Sequence, residues 1–338
     1  MPFEGLTERE RAVLKALIVH YTRTAQPVGS RALAKEHDLG VSPATIRNVC
    51  QDLEERGMLA QPHTSAGRVP TELAYREYVA TMLTLDDLSE EESTELRRLR
   101  RSAAAIDELL DETSRVLGEM SKRLGVSLGP TLEKGVVSRI QVVRVGERRV
   151  MVVVALRAGI ARTVVIECES ELPERSVQRA EEILNERLAG LTLGEIRTTL
   201  RERFADIDPA GGTLVRLILD RADDAFATGR SEDVHIGGTA ELLAQPEFSD
   251  RQRVQAILEF VEDRTELARV VAQRPGAGVT ITFGTELGAD EMSLVSAPYS
   301  AGQMTGVIGV LGPSRMPYSR MVPLVDKVSR LLTELLSE

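Results

Sequence analysis

The chain has 338 residues, enough for two or three domains, and carries 42 Lys and Arg against 52 Asp and Glu, for a net charge of −10. That deficit excludes a protein that coats nucleic acid by charge alone. Its 2 cysteines, Cys50 and Cys168, stand far apart and make neither a disulfide framework nor a zinc site, as expected in a reducing cytosol.

The charge is uneven along the chain. Residues 1–80 hold ten basic and ten acidic residues, and the whole deficit lies beyond them. His20, His37 and His63 also fall in this front part, which can therefore sit on a polyanion while the remainder stays acidic and soluble. The opening MPFEGLTERERAVL lacks a basic region followed by an apolar run, so no secretory signal is expected. The densest apolar run, VMVVVAL at 150–156, is far too short to span a membrane. A cytoplasmic location without membrane contact is the expectation.

Thr7-Glu8-Arg9-Glu10 reads as a capping box, and Leu14, Leu17, Ile18 and Tyr21 behind it form one apolar stripe on a helix over about 8–22. Pro27 and Gly29 break the chain, and Ser30 is expected to cap a short helix, RALAKEHD, that stops near Gly40. A further helix starts with Ser42 as N-cap and Pro43 at its first position, where a missing N–H costs nothing, and ends at Gly57. Two helices joined by a tight glycine-containing turn give the helix-turn-helix pattern. MLAQ and RVPT then read as two short strands flanking a loop. Residues 86–101 are highly charged; Arg97, Arg98, Arg100 and Arg101 there read as an exposed helix face rather than a DNA-backbone contact.

An amphipathic helix is predicted over 103–124, with Ile106, Leu109, Leu110, Val116, Leu117 and Leu124 on one face. Residues 136–168 look like a three-strand meander, followed by helical patterns to about 228. Gly237-Gly238 opens another segment, with helices over 239–245 and 250–272. The strand candidates VTITFG, SLVSAPYS and TGVIGVLG follow, and the helix RMVPLVDKVSRLLTELL closes the chain. Met292 and Met304 are expected in the core rather than against a cofactor.

On the helix from 43 to 56, Ile46, Val49, Cys50 and Leu53 gather on the side that must be buried. Ala44, Asn48, Gln51 and Glu55 fall opposite, with Thr45 and Arg47 on the flanks. An exposed N-terminal half of this kind has the chemistry of major-groove reading. Arg47 can fork onto guanine, Asn48 or Gln51 can bridge adenine, and the Ala44 and Thr45 methyls can meet a thymine methyl. Ser42 and the helix N-terminus can meet a phosphate. The alternative is a solvated polar face on a small helical module.

The strand-loop-strand that follows completes the order of a winged helix, with QPHTSAGRVPT as the wing tip. Gly67 supplies permissive backbone, Thr64, Ser65 and His63 can donate to phosphates, and Arg68 can pair with a phosphate or enter a minor groove. Catalysis by His63 with Ser65 lacks an orienting third residue and oxyanion donors, and neither a phosphate-binding G-x-x-x-x-G-K-[ST] nor a G-x-S-x-G is present. No enzyme, metal site or cofactor is expected.

SPATIRNVCQDLEERGMLAQPHTSAGRVPTELAYREYV resembles the DNA-binding region of the heat-inducible transcription repressor HrcA family, whose pattern is roughly S-x-A-T-I-R-N-x-x-x-x-L-E-x-x-G-x-L-x-Q-P-H-T-S-A-G-R-x-P-T. HIGGTAELLAQPEFSD, GVIGVLGPSRMPYSRMV and ILNERLAGLTLGEI resemble further segments of that family, so the likeness spans nearly the whole chain. Val49, Cys50 and Pro317 depart from its more usual residues. The resemblance implies an α+β protein with an N-terminal winged helix-turn-helix over 1–80. A discontinuous GAF-like domain would follow over 81–135 and 232–338, with an inserted α/β dimerising domain over 136–231. The meander could belong to the GAF-like sheet instead. The resemblance further implies a homodimeric repressor of chaperonin and DnaK-type operons. It would bind an inverted-repeat operator in double-stranded DNA, with the chaperonin GroEL as modulator and relief on heat stress.

Overall fold

Thr7 starts the first helix as its capping box requires. Its hydroxyl accepts from the Glu10 amide at 3.2 Å, and the Glu10 carboxylate accepts from the Thr7 amide at 2.7 Å. The computed structural model describes residues 5–62, 67–99, 106–169, 173–207, 213–221, 226, 234–272, 278–289 and 291–337. Helix α1 (Glu8–Thr24) buries Val13, Leu14, Leu17 and Ile18 against α2 (Ser30–Glu36) and α3 (Pro43–Glu55). Ser30 is not the cap of α2: Gly29 holds that position, with no side-chain bond, and Ser30 is already helical. The chain bends one residue earlier than expected because Val28 is tied into a bridge with Arg68.

Strands β1 (Leu59–Ala60) and β2 (Val69–Pro70) pair antiparallel, and Val28 adds a third rung through Val28 N–H to Arg68 O and Arg68 N–H to Val28 O, at 2.8 and 2.9 Å. These elements form a winged helix. The sequence reading gave no helix to 72–81, yet α4 (Glu72–Thr81) follows, capped by the Thr71 hydroxyl. Tyr75 and Tyr78 explain it: three apart, they turn one buried face toward the core.

The body is built on a five-stranded antiparallel sheet. After α5 (Glu90–Leu99) and α6 (Ile106–Ser121) comes β3 (Leu124–Leu128). The expected helix to 124 thus stops early. Lys122 turns left-handed at φ 55°, and the Arg123 amide returns to the Gly118 carbonyl at 3.3 Å. Five residues of LGVSL carry no alternation, so the strand was hidden behind a helical stripe. Strands β4 (Val137–Gly146), β5 (Arg149–Leu156) and β6 (Ala161–Glu167) form a separate three-stranded sheet. It is covered on one face by α7 (Glu174–Leu188), α8 (Leu193–Arg203) and α9 (Thr213–Asp220). The chain then re-enters the first sheet as β7 (Val234–Gly237), pairing with β3.

Next come α10 (Thr239–Leu243), a 3-10 turn (Pro246–Phe248), α11 (Arg251–Glu262) and α12 (Arg264–Ala272). The single helix expected over 250–272 is thus two, broken at Asp263, whose carboxylate accepts from the Glu266 amide at 3.0 Å. Strands β8 (Thr280–Phe283), β9 (Met292–Ala301) and β10 (Met304–Pro313) complete the sheet, with α13 (Gly284–Leu287) after β8 and α14 (Tyr318–Leu335) last. The sheet order is β7-β3-β10-β9-β8. Val295, Ala297, Ile308 and Val310 face α6 and α14, while Leu294, Val307 and Leu311 face α11 and α12. The α6 helix lies directly on the sheet backbone: a Cβ on Gly125 would stand 2.0 Å from the Ser114 carbonyl oxygen.

The winged helix is seated on this body. Tyr75 meets the Tyr318 ring edge-on at 6.1 Å, Arg76 lies 4.9 Å over the Phe283 ring, and the Thr285 hydroxyl donates to Glu72 at 2.8 Å. Deeper in the contact, Arg315 donates to the Thr22 carbonyl at 2.6 Å and takes both oxygens of Glu247, at 2.6 and 3.1 Å.

Candidate nucleic-acid interface

Helix α3 is held by its apolar side. Ile46 and Leu53 are fully buried, and Val49 and Cys50 nearly so. Burial pushes the Cys50 thiol up to about 11, against a weaker opposing pull from Arg68, so it is protonated and inert at neutral pH. The Ser42 hydroxyl accepts from the Thr45 amide at 3.2 Å and lies 3.0 Å from the Thr45 hydroxyl, so both side chains are engaged in starting the helix.

Ala44, Arg47, Asn48 and Gln51 are exposed together with Ser42, and Thr45 is half-buried. Gln51 has a long contact to Glu55 at 3.5 Å that leaves its amide available. These six residues occur on one rigid helix whose other side is locked in the core.

The wing base is more constrained than the sequence suggests. Gly67 lies flat on Val28: a Cβ there would come within 2.4 Å of the Val28 backbone carbon. Glycine is needed for this close approach, not for a left-handed turn. Arg68 is half-buried and its Nε donates to Glu54 of α3 at 2.8 Å, tying the wing to that helix. His63, Thr64 and Ser65 lie outside the described residues. So do Arg100 and Arg101.

Two contributors escaped the sequence reading. Val28 supplies the third rung of the wing, and Glu54 braces it. The only signal for Glu54 was a carboxylate on the flank of α3. Behind α3, His20 and His37 meet edge-on at 6.0 Å, with Glu36 3.4 Å from His20 Nδ1. The His37 pKa is lowered, first by burial and then by the neighbouring His20, with Glu36 opposing.

A helix, a helix-turn-helix and a strand-paired wing, with a polar helix face turned to solvent, define a winged-helix DNA-binding protein of the transcription-regulator class. Residues 5–83 match the family described as "Winged helix-turn-helix transcription repressor, HrcA DNA-binding", and residues 107–322 match "HrcA protein C terminal domain". The chain is 38% identical over 354 residues to the heat-inducible transcription repressor HrcA of Chlorobium luteolum, covering 98% of each chain. It is 38% identical to that of Chlorobium chlorochromatii, covering 100% of this chain and 99% of the relative. With that of Syntrophobacter fumaroxidans it shares 37%, covering 98% of each. The chain belongs to the HrcA family of transcription repressors, a non-enzymatic class. A solved structure of a hypothetical protein shares the fold at a TM-score of 0.63 and 22% identity, covering 98% of this chain and 99% of its own. Among the described residues, no helix is long and apolar enough to cross a membrane.

Proposed function

We propose that the protein represses chaperonin and DnaK-type operons in the cytoplasm by binding an inverted-repeat operator as a homodimer, and that heat stress relieves it. The observation that carries this reading is the solvent face of α3, where Arg47, Asn48, Gln51 and Ala44 are exposed while every large apolar residue of the helix is buried. Arg47 and Asn48 read base edges; Ser42, Thr45 and the α3 N-terminus lie against phosphate. The wing residues His63, Thr64, Ser65 and Gly67 add backbone contacts, and Arg68 adds one with the guanidinium edge that Glu54 leaves free.

One winged helix reads a few base pairs, and two related by a dyad read two half-sites. The five-stranded sheet with helices on both faces acts as the GAF-like body, and the separate β4-β5-β6 unit as the dimerising insert. Its outer face supports that role. Val143, Met151 and Val165 are register partners across the three strands; Val143 and Val165 are 42% and 56% exposed with Met151 half-buried between them, an apolar row at the surface of the monomer. The chaperonin GroEL acts as the modulator that couples this repression to unfolded protein.

The test is binding to duplexes taken from upstream of the chaperonin genes of the source genome. The intact inverted repeat should bind far more tightly than a version with one arm scrambled. Equal affinity for the two would overturn the reading.

A further inference from the structure

We propose that the cavity between α11, the 3-10 turn at 246–248 and the paired ends of β9 and β10 at Met292 and Pro313 binds a small aromatic anion, and that Glu247 in its wall relays occupancy to the winged helix through Arg315 behind it. The half-open cavity has a volume of about 490 Å³, and its apolar lining includes Phe248, Ile257, Phe260, Met292 and Pro313. That size and apolar wall suit a small organic molecule rather than a peptide or a bare ion. Four of the wall residues come from one face of α11, at Arg253, Ala256, Ile257 and Phe260, so the site is built on a rigid element.

The charge around it sets the sign of the ligand. Arg253 pairs with Glu291 at the mouth at 2.9 Å. Behind the wall, Arg123 and Arg315 are both more than nine-tenths buried; Arg315 takes both oxygens of Glu247, while Arg123 donates to the Lys122 carbonyl at 2.8 Å. Arg123 packs across Gly312, next to the wall residue Pro313, and its Nε is buried without a hydrogen-bond partner. In the lining itself Arg253 is matched by Glu291, and Glu247 is matched from behind by Arg315, so among the described residues here Arg123 is the surplus buried cation, and an anionic group balances it.

Glu247 is the link. It lines the cavity, and its partner Arg315 holds the Thr22 carbonyl at the end of α1. A ligand that shifts the 3-10 turn moves Glu247 and with it the only cation on that carbonyl among the described residues.

Titration of the full chain with 8-anilinonaphthalene-1-sulfonate should give one saturable fluorescent site. Ala256→Trp fills the cavity from an exposed position on α11 and should abolish it; Ala256→Leu, a milder filling, should weaken it. Val165→Glu, on the distant insert, should leave it intact, and the uncharged N-phenyl-1-naphthylamine should bind more weakly. A signal insensitive to Ala256→Trp in a folded variant, or equal binding of both dyes, overturns the site. The dye should also change the affinity for duplex DNA by about 5-fold or more in the parent and not in Arg315→Met. An equal change in both proteins overturns the relay. The dye titration does not rest on the repressor reading, so absence of any DNA binding would sink that reading while the cavity is still decided by fluorescence.

Discussion

Arg47 and Arg68 both belong to the proposed DNA-facing surface, but their surroundings separate their roles. Arg47 is exposed on α3, so Arg47→Ala should weaken operator binding by roughly 1–3 kcal/mol and relax one base position. Competition with single-base operator variants measures this. Arg68 has its Nε bound to Glu54, leaving only the far edge of the guanidinium for a phosphate. Arg68→Ala should lower affinity evenly across sequences and reduce the salt slope by about one. A loss confined to one base position would contradict the phosphate role. The His37 imidazole also has a defined consequence. Its pKa is lowered from 6.5 by burial and by His20, so the folded chain binds this proton less readily than the unfolded chain. The contribution of His37 to the stability of the winged helix is therefore complete above about pH 6.5 and declines as the pH falls below it. Thermal midpoints between pH 7.5 and 5.5 should fall in the parent, and His37→Gln should flatten most of that dependence.

Elements were legible where a local rule fixed them. Capping residues and periodicity located α1 and α3, because Thr7, Glu10, Ser42 and Pro43 act within one turn of the chain. The three-strand order of the wing was only partly legible. Val28 joins through a bridge to a residue forty positions away, and no local signal encodes that. Strands β3 and β7 escaped for the same reason: they are short, and each exists through its partner, Val126 opposite Ile236. The exposed polar face of α3 was legible because helical geometry alone separates Ile46 and Leu53 from Arg47 and Gln51. The bracing of Arg68 by Glu54 was not. At this scale Gly67→Ala is the sharpest probe. Its methyl must displace the Val28 backbone, so the wing should open at a cost of about 1–3 kcal/mol, with little change in the helices. Hydrogen exchange at the Val28 and Arg68 amides reads it; unchanged protection there would contradict the account.

The whole molecule joins a reader, a body and an insert through a few specific contacts. The insert leaves the body after β3 and returns as β7, and these two strands are hydrogen-bonded neighbours, so a long excursion costs the sheet no continuity. The winged helix rests on the body through Tyr75 and Tyr318, Glu72 and Thr285, and Arg315 with Thr22, so its orientation is set rather than loose. If the apolar row of the insert sheet joins two copies, Val165→Glu should yield a monomer by light scattering. It should bind a single half-site about as well as the parent subunit does, yet lose most of its affinity for the full repeat.

The central claim is that two copies of α3 read two arms of one operator. Selection of bound molecules from a library of random-sequence duplexes tests it without prior choice of site. Enrichment of an inverted repeat is expected, its arm centres one helical turn or a multiple apart, with one position in each arm blurred by Arg47→Ala. Enrichment of a single unpaired site, or of no sequence at any salt concentration, would contradict it.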